Sequence, residues 1–541
     1  MQYLKRFTFA LQTKIQSTGG IFSMKIPELA ALLCYFVLVL GIGIYFFIKD
    51  KTKAAGEKDY FLGGRNMNGW VSALSAGASD MSAWVLMGLP GSIYLAGVGQ
   101  LWIAIGLLIG TILAWIWVAP TLRRYSIVAE DAITLPQFLT RRFCTQRKGI
   151  MVMSAIVFVI TYCVYTAASL YACGTLFNTV LGMNPKTAML IASIVIVIYT
   201  FLGGFNAVCW TDFFQGLLML GALMFIPIAA VVLMGTPSFQ QPMIQLPDNY
   251  YDLLSSGSFN WQSIADILSG LGWGLGYFGM PHILIRYFSV KSEKEMCKSR
   301  IIGCTWLALI LIASCAVGLV GRQFFGNTLV GTKDANSLVF INMVRSVFDW
   351  AGSSTGLMTV SIFCAGILLS AILAAAMSTA DSQLLASASA FASDLYKPLF
   401  RPNATDKEML QAGRIIVIVI AAVAYIIAGS PNCSGLMGLV SCAWGAFGAA
   451  FGPVVLLALF WKRMTYGGAL AGIITGFCVD ALWYAFLFSS TMLYEIIPGF
   501  IAGLIASVVV SLLQKQPSEE VVKLFEQARL PQESDKNQIL D

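Results

Sequence analysis

The chain has 541 residues, 58% of them hydrophobic and only 11% charged, with a mean hydropathy of +0.77. That balance excludes a water-facing globular domain. It also excludes a nucleic-acid binder, because the formal net charge of +7 is scattered through short segments between apolar runs and forms no single basic face. Runs of about 20 apolar residues recur from end to end, each long enough to cross a hydrocarbon core roughly 30 Å thick, so the sequence reads as an all-α integral membrane protein with one membrane domain.

In chain order, residues 1–23 are basic and mixed, without the apolar stretch and small-residue cleavage site of a signal peptide, and Met24 offers an alternative start. About thirteen apolar spans follow, at 29–48, 70–90, 98–119, 150–181, 187–204, 209–234, 263–285, 300–321, 355–390, 411–429, 434–461, 466–488 and 494–514. Lys and Arg gather in the segments after the first, third, seventh, ninth and eleventh spans, and are absent after the second, sixth, tenth and twelfth. The positive-inside rule then places the N-terminus outside and the C-terminus in the cytoplasm. The expected organisation is an outer tail at 1–28, a membrane domain at 29–514 with core repeats at about 70–234 and 263–461, and a cytoplasmic tail at 515–541 with at most one short helix. An outer loop is expected over 235–262 and an amphipathic helix over 335–350.

The second and seventh spans are interrupted in their middles, by "SALSAGASDMSAW" (72–84) and "GLGWGLGYFGMPH" (270–282). Five spans separate them, so they face the membrane in opposite senses, which is the sequence pointer to a transporter binding site between inverted halves. Within the second stretch "GLGYFG" (274–279) matches G-x-G-x-x-G, but no strand precedes it and an apolar span surrounds it, so the dinucleotide reading fails on context. Close helix packing accounts for two or three of the glycines. It does not account for Trp273, Tyr277, Pro281 and His282 in the same stretch. The favoured reading is a broken helix, in which the glycines permit non-helical dihedrals and Pro281 removes a donor, freeing backbone groups to line a cavity.

Ionisable residues inside spans are Asp80, Asp212, Asp381, Asp480 and the single histidine, His282; each carboxylate needs a partner or a cavity. In "AAAMSTADSQLLASAS" (374–389), Ala375, Ser378, Thr379 and Ser382 share one helical face. Hydroxyl and carbonyl oxygens suit a hard cation such as Na⁺, and hydroxyls also bond helices to one another; on chemistry alone both readings stay open. The twelve cysteines include no CxxC pair and read as small packing residues. The sequence shows no catalytic pair of acids, Cys/His dyad, HExxH or P-loop, so no enzyme is expected.

Four stretches, "FLGGRNMNGWVSALSAGASDMSAWVLMGLPG" (61–91), "GWGLGYFGMPHIL" (272–284), "LLSAILAAAMSTADSQLL" (368–385) and "WGAFGAAFGPVVLLALFW" (444–461), closely resemble the sodium/solute symporter family, and within it the members that carry proline. The similarity runs from about residue 27 to 514. It implies a five-plus-five inverted-repeat fold with broken helices, one extra span before the core and two after it. It implies Na⁺-coupled uptake of proline by alternating access across the cytoplasmic membrane, by a monomer that binds Na⁺ and the solute and no nucleic acid. A different small solute, or proton coupling through Asp80, Asp212 or Asp381, are the alternatives. The resemblance assigns Na⁺ to the backbone carbonyls of Ala78, Met81 and Ala375 and the hydroxyls of Ser378 and Thr379, with Asp80 as a functional carboxylate beside it. It assigns the solute to Tyr165, Trp273, Tyr277 and Pro281, and a second Na⁺ site to Asp212, Ser378, Asp381 and Ser382. Met280 stands where proline-carrying members have glutamine.

Overall fold

In hydrocarbon no water completes a backbone N–H or C=O, so a spanning chain must bond within itself, and a chain of apolar runs without alternating pattern does so as helix. The computed structural model describes residues 26–51, 57–237, 239, 242, 244–331 and 334–530, and these are helical apart from connectors and one isolated bridge between Met67 and Val290. The basic segment 1–23 lies outside the described residues.

The first helix, α1 (Ile26–Lys51), precedes the core. α2 (Gly69–Asp80) starts at Asn68, whose side chain accepts from Val71 N at 3.0 Å, and stops at Asp80. The chain opens at residues 81–83 and resumes through wide i→i+5 turns into α3 (Leu89–Ala96). α4 (Leu101–Leu113) and α5 (Ala119–Val128) form one long path, followed by the short α6 (Leu135–Arg141), then α7 (Gly149–Leu181), α8 (Pro185–Gly203) and α9 (Phe205–Met234). The second half repeats the device. α10 (Trp261–Gly272) passes through a tight 3₁₀ stretch, Trp273–Phe278, breaks at Gly279 and Met280, and restarts as α11 (Pro281–Ser289). α12 (Glu293–Phe325), α13 (Val339–Thr355), α14 (Met358–Ser389), α15 (Asp406–Ala428) and α16 (Gly435–Phe460) follow, and α17 (Tyr466–Leu482), α18 (Ile496–Leu513) and the short α19 (Glu519–Gln527) close the chain. The helix expected over 335–350 is a 3₁₀ turn, Ala335–Leu338, running into α13.

Among the described residues ten helices are long and apolar enough to cross a membrane, against the thirteen runs of the sequence. The difference is physical: two runs are the interrupted segments around Met81 and Met280, and a third is the shorter apolar helix Pro185–Phe201. Large apolar side chains such as Val37, Ile228, Ile312 and Ile426 are exposed on α1, α9, α12 and α15, a surface that only hydrocarbon accepts.

α2 and α14 sit at the centre. α2 packs on α9, α11, α12 and α14, and α14 also contacts α1, α7 and α13. The bridge at Met67 joins the start of α2 to the end of α11, through Met67 N to Ser289 O at 3.1 Å and Lys291 N to Met67 O at 3.0 Å. Next to it Arg65 donates to Asp131 at 2.8 Å, Ser126 at 2.9 Å and the carbonyls of Phe288 and Ala132 at 2.7 and 2.8 Å.

Four of the five glycines of the 270–282 interruption, Gly272, Gly274, Gly276 and Gly279, are places of close approach at the break. A Cβ on Gly274 would overlap the Gly106 carbonyl, one on Gly276 the Trp444 indole, one on Gly279 the Phe447 carbonyl, and one on Gly272 would lie 2.9 Å from Ile497. None of the four has a positive φ. This corrects the reading that they chiefly supply backbone freedom: the break is made by the extended Met280 (φ −79°, ψ 107°) before Pro281. Across the seam, a Cβ on Gly110 would meet the Gly274 backbone.

Two stability predictions follow from these contacts. Gly110→Val should push α4 away from residues 273–278 and cost about 1–3 kcal/mol or more by overpacking, whereas Gly41→Ala, with nothing within 4 Å of its Cβ, should be neutral; thermal unfolding in detergent compares them. Arg345 on α13 pairs with Glu28 on α1 at 2.8 and 3.0 Å, both side chains being buried. Glu28→Ala should therefore cost about 3–5 kcal/mol by removing the carboxylate paired with a buried guanidinium, which would keep the Thr179 and Val180 carbonyls, and the double variant with Arg345→Met should recover part of that loss in the same assay.

Candidate functional site

The broken end of α2 meets the middle of α14. The Ser378 hydroxyl donates to the Ala78 carbonyl at 2.8 Å and lies 3.2 Å from the Ala375 carbonyl of its own helix. Thr379 Oγ1, one residue on, is buried and has no hydrogen-bond partner. Ala78, Met81, Ala375, Ser378 and Thr379 are all fully buried. The polar contact between the interruption of α2 and the hydroxyl-bearing turn of α14 is thus one of oxygen with oxygen. A helix carbonyl released at a break costs free energy in a dry interior unless something donates to it or coordinates it.

On the other side of the break, Asp80 ends α2. Its Oδ2 accepts from the Tyr277 hydroxyl, and its Oδ1 has no partner. Tyr277 stands edge-on to Trp444, with ring centroids 5.3 Å apart. Trp273 lies among Trp84, Trp444 and Tyr494 at 5.9, 6.3 and 5.3 Å, and its carbonyl accepts from Trp444 Nε1 at 2.8 Å. Tyr165 on α7 is buried with an unpartnered hydroxyl. Pro281 opens α11 at the same level, next to His282, whose ring centroid is 6.0 Å from that of Tyr165. The structure therefore gathers Asp80, Tyr165, Trp273, Tyr277 and Pro281 around the two helix breaks. All five are buried.

The four residues expected to form a second cation site are arranged differently. Arg286 of α11, 1% exposed, reaches between them. Its Nη2 donates to Asp212 Oδ2 at 3.2 Å and to the Ser382 hydroxyl, its Nε to Ser75 at 3.1 Å and its Nη1 to the His282 carbonyl at 2.6 Å. Ser75 in turn donates to Asp212 Oδ2 at 2.7 Å. Asp212 and Ser382 thus already hold a cationic group, Ser378 is turned to Ala78, and Asp381 accepts only from the Ser382 hydroxyl, at 3.4 Å, leaving Oδ2 without a partner. Asp480 is not part of this site; it lies in α17 and faces Gly445, as does Glu495 at the start of α18.

Sequence reasoning missed Arg286, which directly follows the seventh apolar run and so looked like the first residue of a basic connector. It also assigned no role to Gln383, one turn below Thr379. The Gln383 Oε1 accepts from Thr166 at 3.4 Å, and its amide nitrogen is buried without a partner. The signal available was the polar run "STADSQ" inside an apolar helix.

Comparison with known proteins places the chain as a whole. The model of the sodium:solute symporter family matches residues 60–476. The osmoregulated proline transporter OpuE of Bacillus subtilis (strain 168) is 40% identical over 505 residues, covering 93% of this chain and 98% of the relative. The sodium/proline symporter of Escherichia coli (strain K12) is 41% identical over 502 residues, covering 92% and 96%. Among solved structures, the substrate-bound outward-open state of a Na⁺-coupled sialic acid symporter superimposes with a TM-score of 0.72 at 21% identity, covering 91% of this chain and 98% of the other, which shows a shared fold. On its sequence over more than two thirds of its length, and on its fold, the chain belongs to the sodium:solute symporter family.

Proposed function

We propose that the protein is a Na⁺-coupled symporter that carries proline across the cell membrane by alternating access, working as a monomer with its N-terminus outside. The observation that carries this reading is the unpartnered Thr379 hydroxyl beside a Ser378 hydroxyl bonded to the released Ala78 carbonyl. The carbonyls of Ala78, Met81 and Ala375 and the two hydroxyls suit a hard monovalent cation. The names of the relatives in Bacillus subtilis and Escherichia coli support proline as the solute.

In this reading Na⁺ ties α2 to α14 by replacing the Ser378–Ala78 hydrogen bond with coordination from both helices. Because α2 also carries Asp80, bonded to Tyr277 of the 3₁₀ stretch, fixing α2 fixes the solute-facing wall. An ion that binds one conformation better than the other shifts the population by its differential affinity. Na⁺ would thereby favour the state in which the pocket is formed and open outward. Trp273, Tyr277 and Tyr165 offer aromatic faces to a pyrrolidine ring, and the backbone released at Met280 and Pro281 faces its polar end.

Radiolabelled proline uptake into proteoliposomes tests this. Uptake should require an inward Na⁺ gradient and be competed by unlabelled proline over acetate or sialic acid. Uptake driven by a pH gradient without Na⁺ would instead favour proton coupling, and no uptake under either gradient would sink the proposal. Thr379→Ala should raise the Na⁺ concentration for half-maximal uptake about tenfold to a hundredfold, the value of one hydrogen-bonding-type contact to a charged group. It should leave thermal stability unchanged, because the hydroxyl has no partner to strand.

A further inference from the structure

Arg286 lies buried where four helices of the membrane domain meet, and the transport cycle described above gives it no task. Its guanidinium is committed at every nitrogen. Nε donates to Ser75 of α2 at 3.1 Å, Nη1 to the His282 carbonyl of its own helix at 2.6 Å, and Nη2 to Asp212 Oδ2 of α9 at 3.2 Å and to the Ser382 hydroxyl of α14. The Phe205 ring covers one face, its centroid 5.5 Å from Cζ. Each of these hydrogen-bond partners is an oxygen, from a carboxylate, a carbonyl or a hydroxyl. Those are the donors that a hard cation takes, and here they surround a cation that the chain carries itself.

Ligand supply and charge decide whether a free ion fits beside it. A hard cation takes about six oxygens. In this cluster Asp212 Oδ2 accepts from Ser75 as well as from Arg286, Ser382 is bonded to Arg286, and Ser378 is turned to Ala78. The carboxylate oxygens left without a partner are Asp212 Oδ1 and Asp381 Oδ2, too few to replace a hydration shell. A second positive charge next to the guanidinium would also meet a repulsion that a buried setting screens poorly. We propose that Arg286 is the resident cation of this cluster, holding the place that a second Na⁺ would take, so that the protein binds a single Na⁺, between α2 and α14. The inference rests on the Na⁺-coupled reading and deepens it: Arg286 sets how many ions bind. Without the guanidinium, Asp212, Asp381, Ser75 and Ser382 would offer two carboxylates and two hydroxyls to an ion.

Equilibrium binding of radioactive Na⁺ to the purified full-length protein counts the ions without requiring transport. The wild type should saturate at a single Na⁺ per chain, and Asp381→Asn should leave that count unchanged. Arg286→Ala should gain a second ion. That ion should be lost again in Arg286→Ala/Asp381→Asn and kept in Arg286→Ala/Thr379→Ala, where the first is weakened about tenfold to a hundredfold. Arg286→Lys, which keeps a positive charge in place, should stay at a single ion. A wild type that binds more than a single Na⁺ overturns the proposal, as does an alanine variant that gains none. Should Arg286→Ala fail to yield folded protein, the wild type decides: a second ion overturns the proposal, and a single ion that survives Asp381→Asn upholds it. A wild type that binds no Na⁺ would remove the Na⁺-coupled reading and this inference with it, whereas the same single ion in the wild type and in Arg286→Ala would remove this inference alone.

Discussion

The hydrogen bond from the Ser378 hydroxyl to the Ala78 carbonyl is the contact on which the centre of the molecule depends. A helix cannot stop inside a membrane without releasing carbonyls, and α2 stops at Asp80 with its end fully buried. α14 answers with a hydroxyl in place of water. One polar bond thus permits the interruption, and the interruption in turn sets Asp80 at a helix end, free to accept from Tyr277 on the other broken helix. The two breaks stabilise each other through the bond from the Tyr277 hydroxyl to Asp80.

Around this centre, electrostatics is handled by a second device. Arg286, Asp212, Ser75 and Ser382 form a buried network drawn from α11, α9, α2 and α14, so four helices share one ion pair. A buried guanidinium and carboxylate pay a heavy desolvation cost that only close geometry and further hydrogen bonds offset. Here the additional bonds come from hydroxyls and a carbonyl, the same atom types that make up the neighbouring oxygen-lined cluster. The network therefore fixes how the helices stand at the level of the site while leaving Thr379 and Asp80 Oδ1 uncommitted.

Much of this was legible in the sequence because hydrophobic length and interruption are local signals. The broken segments around Met81 and Met280 announced themselves by glycine, proline and polar residues inside apolar runs, and the hydroxyl-rich face of α14 by helical spacing. What was not legible depended on partners far along the chain. Arg286 stands one residue beyond an apolar run, and nothing local distinguishes an arginine that turns inward to Asp212 from one that begins a connector. The glycines at 272, 274, 276 and 279 were read for backbone freedom, but their reason lies in Ile497, Gly106, Trp444 and Phe447, residues that no window around them contains. The count of thirteen runs against ten helices long enough to span comes from the two interrupted segments and from the short apolar helix Pro185–Phe201.

The bridge between Met67 and Val290 has a mechanical consequence. It links the entry of α2 to the exit of α11 through backbone bonds at 3.0 and 3.1 Å, and the Arg65 guanidinium pins the carbonyl of Phe288 beside it. The two interrupted helices are thereby coupled at one end through the backbone and at their breaks only through side chains, like two levers on a common pivot. A tilt of one must be carried by the other, and the largest relative displacement falls at the breaks, where the ion and solute would sit.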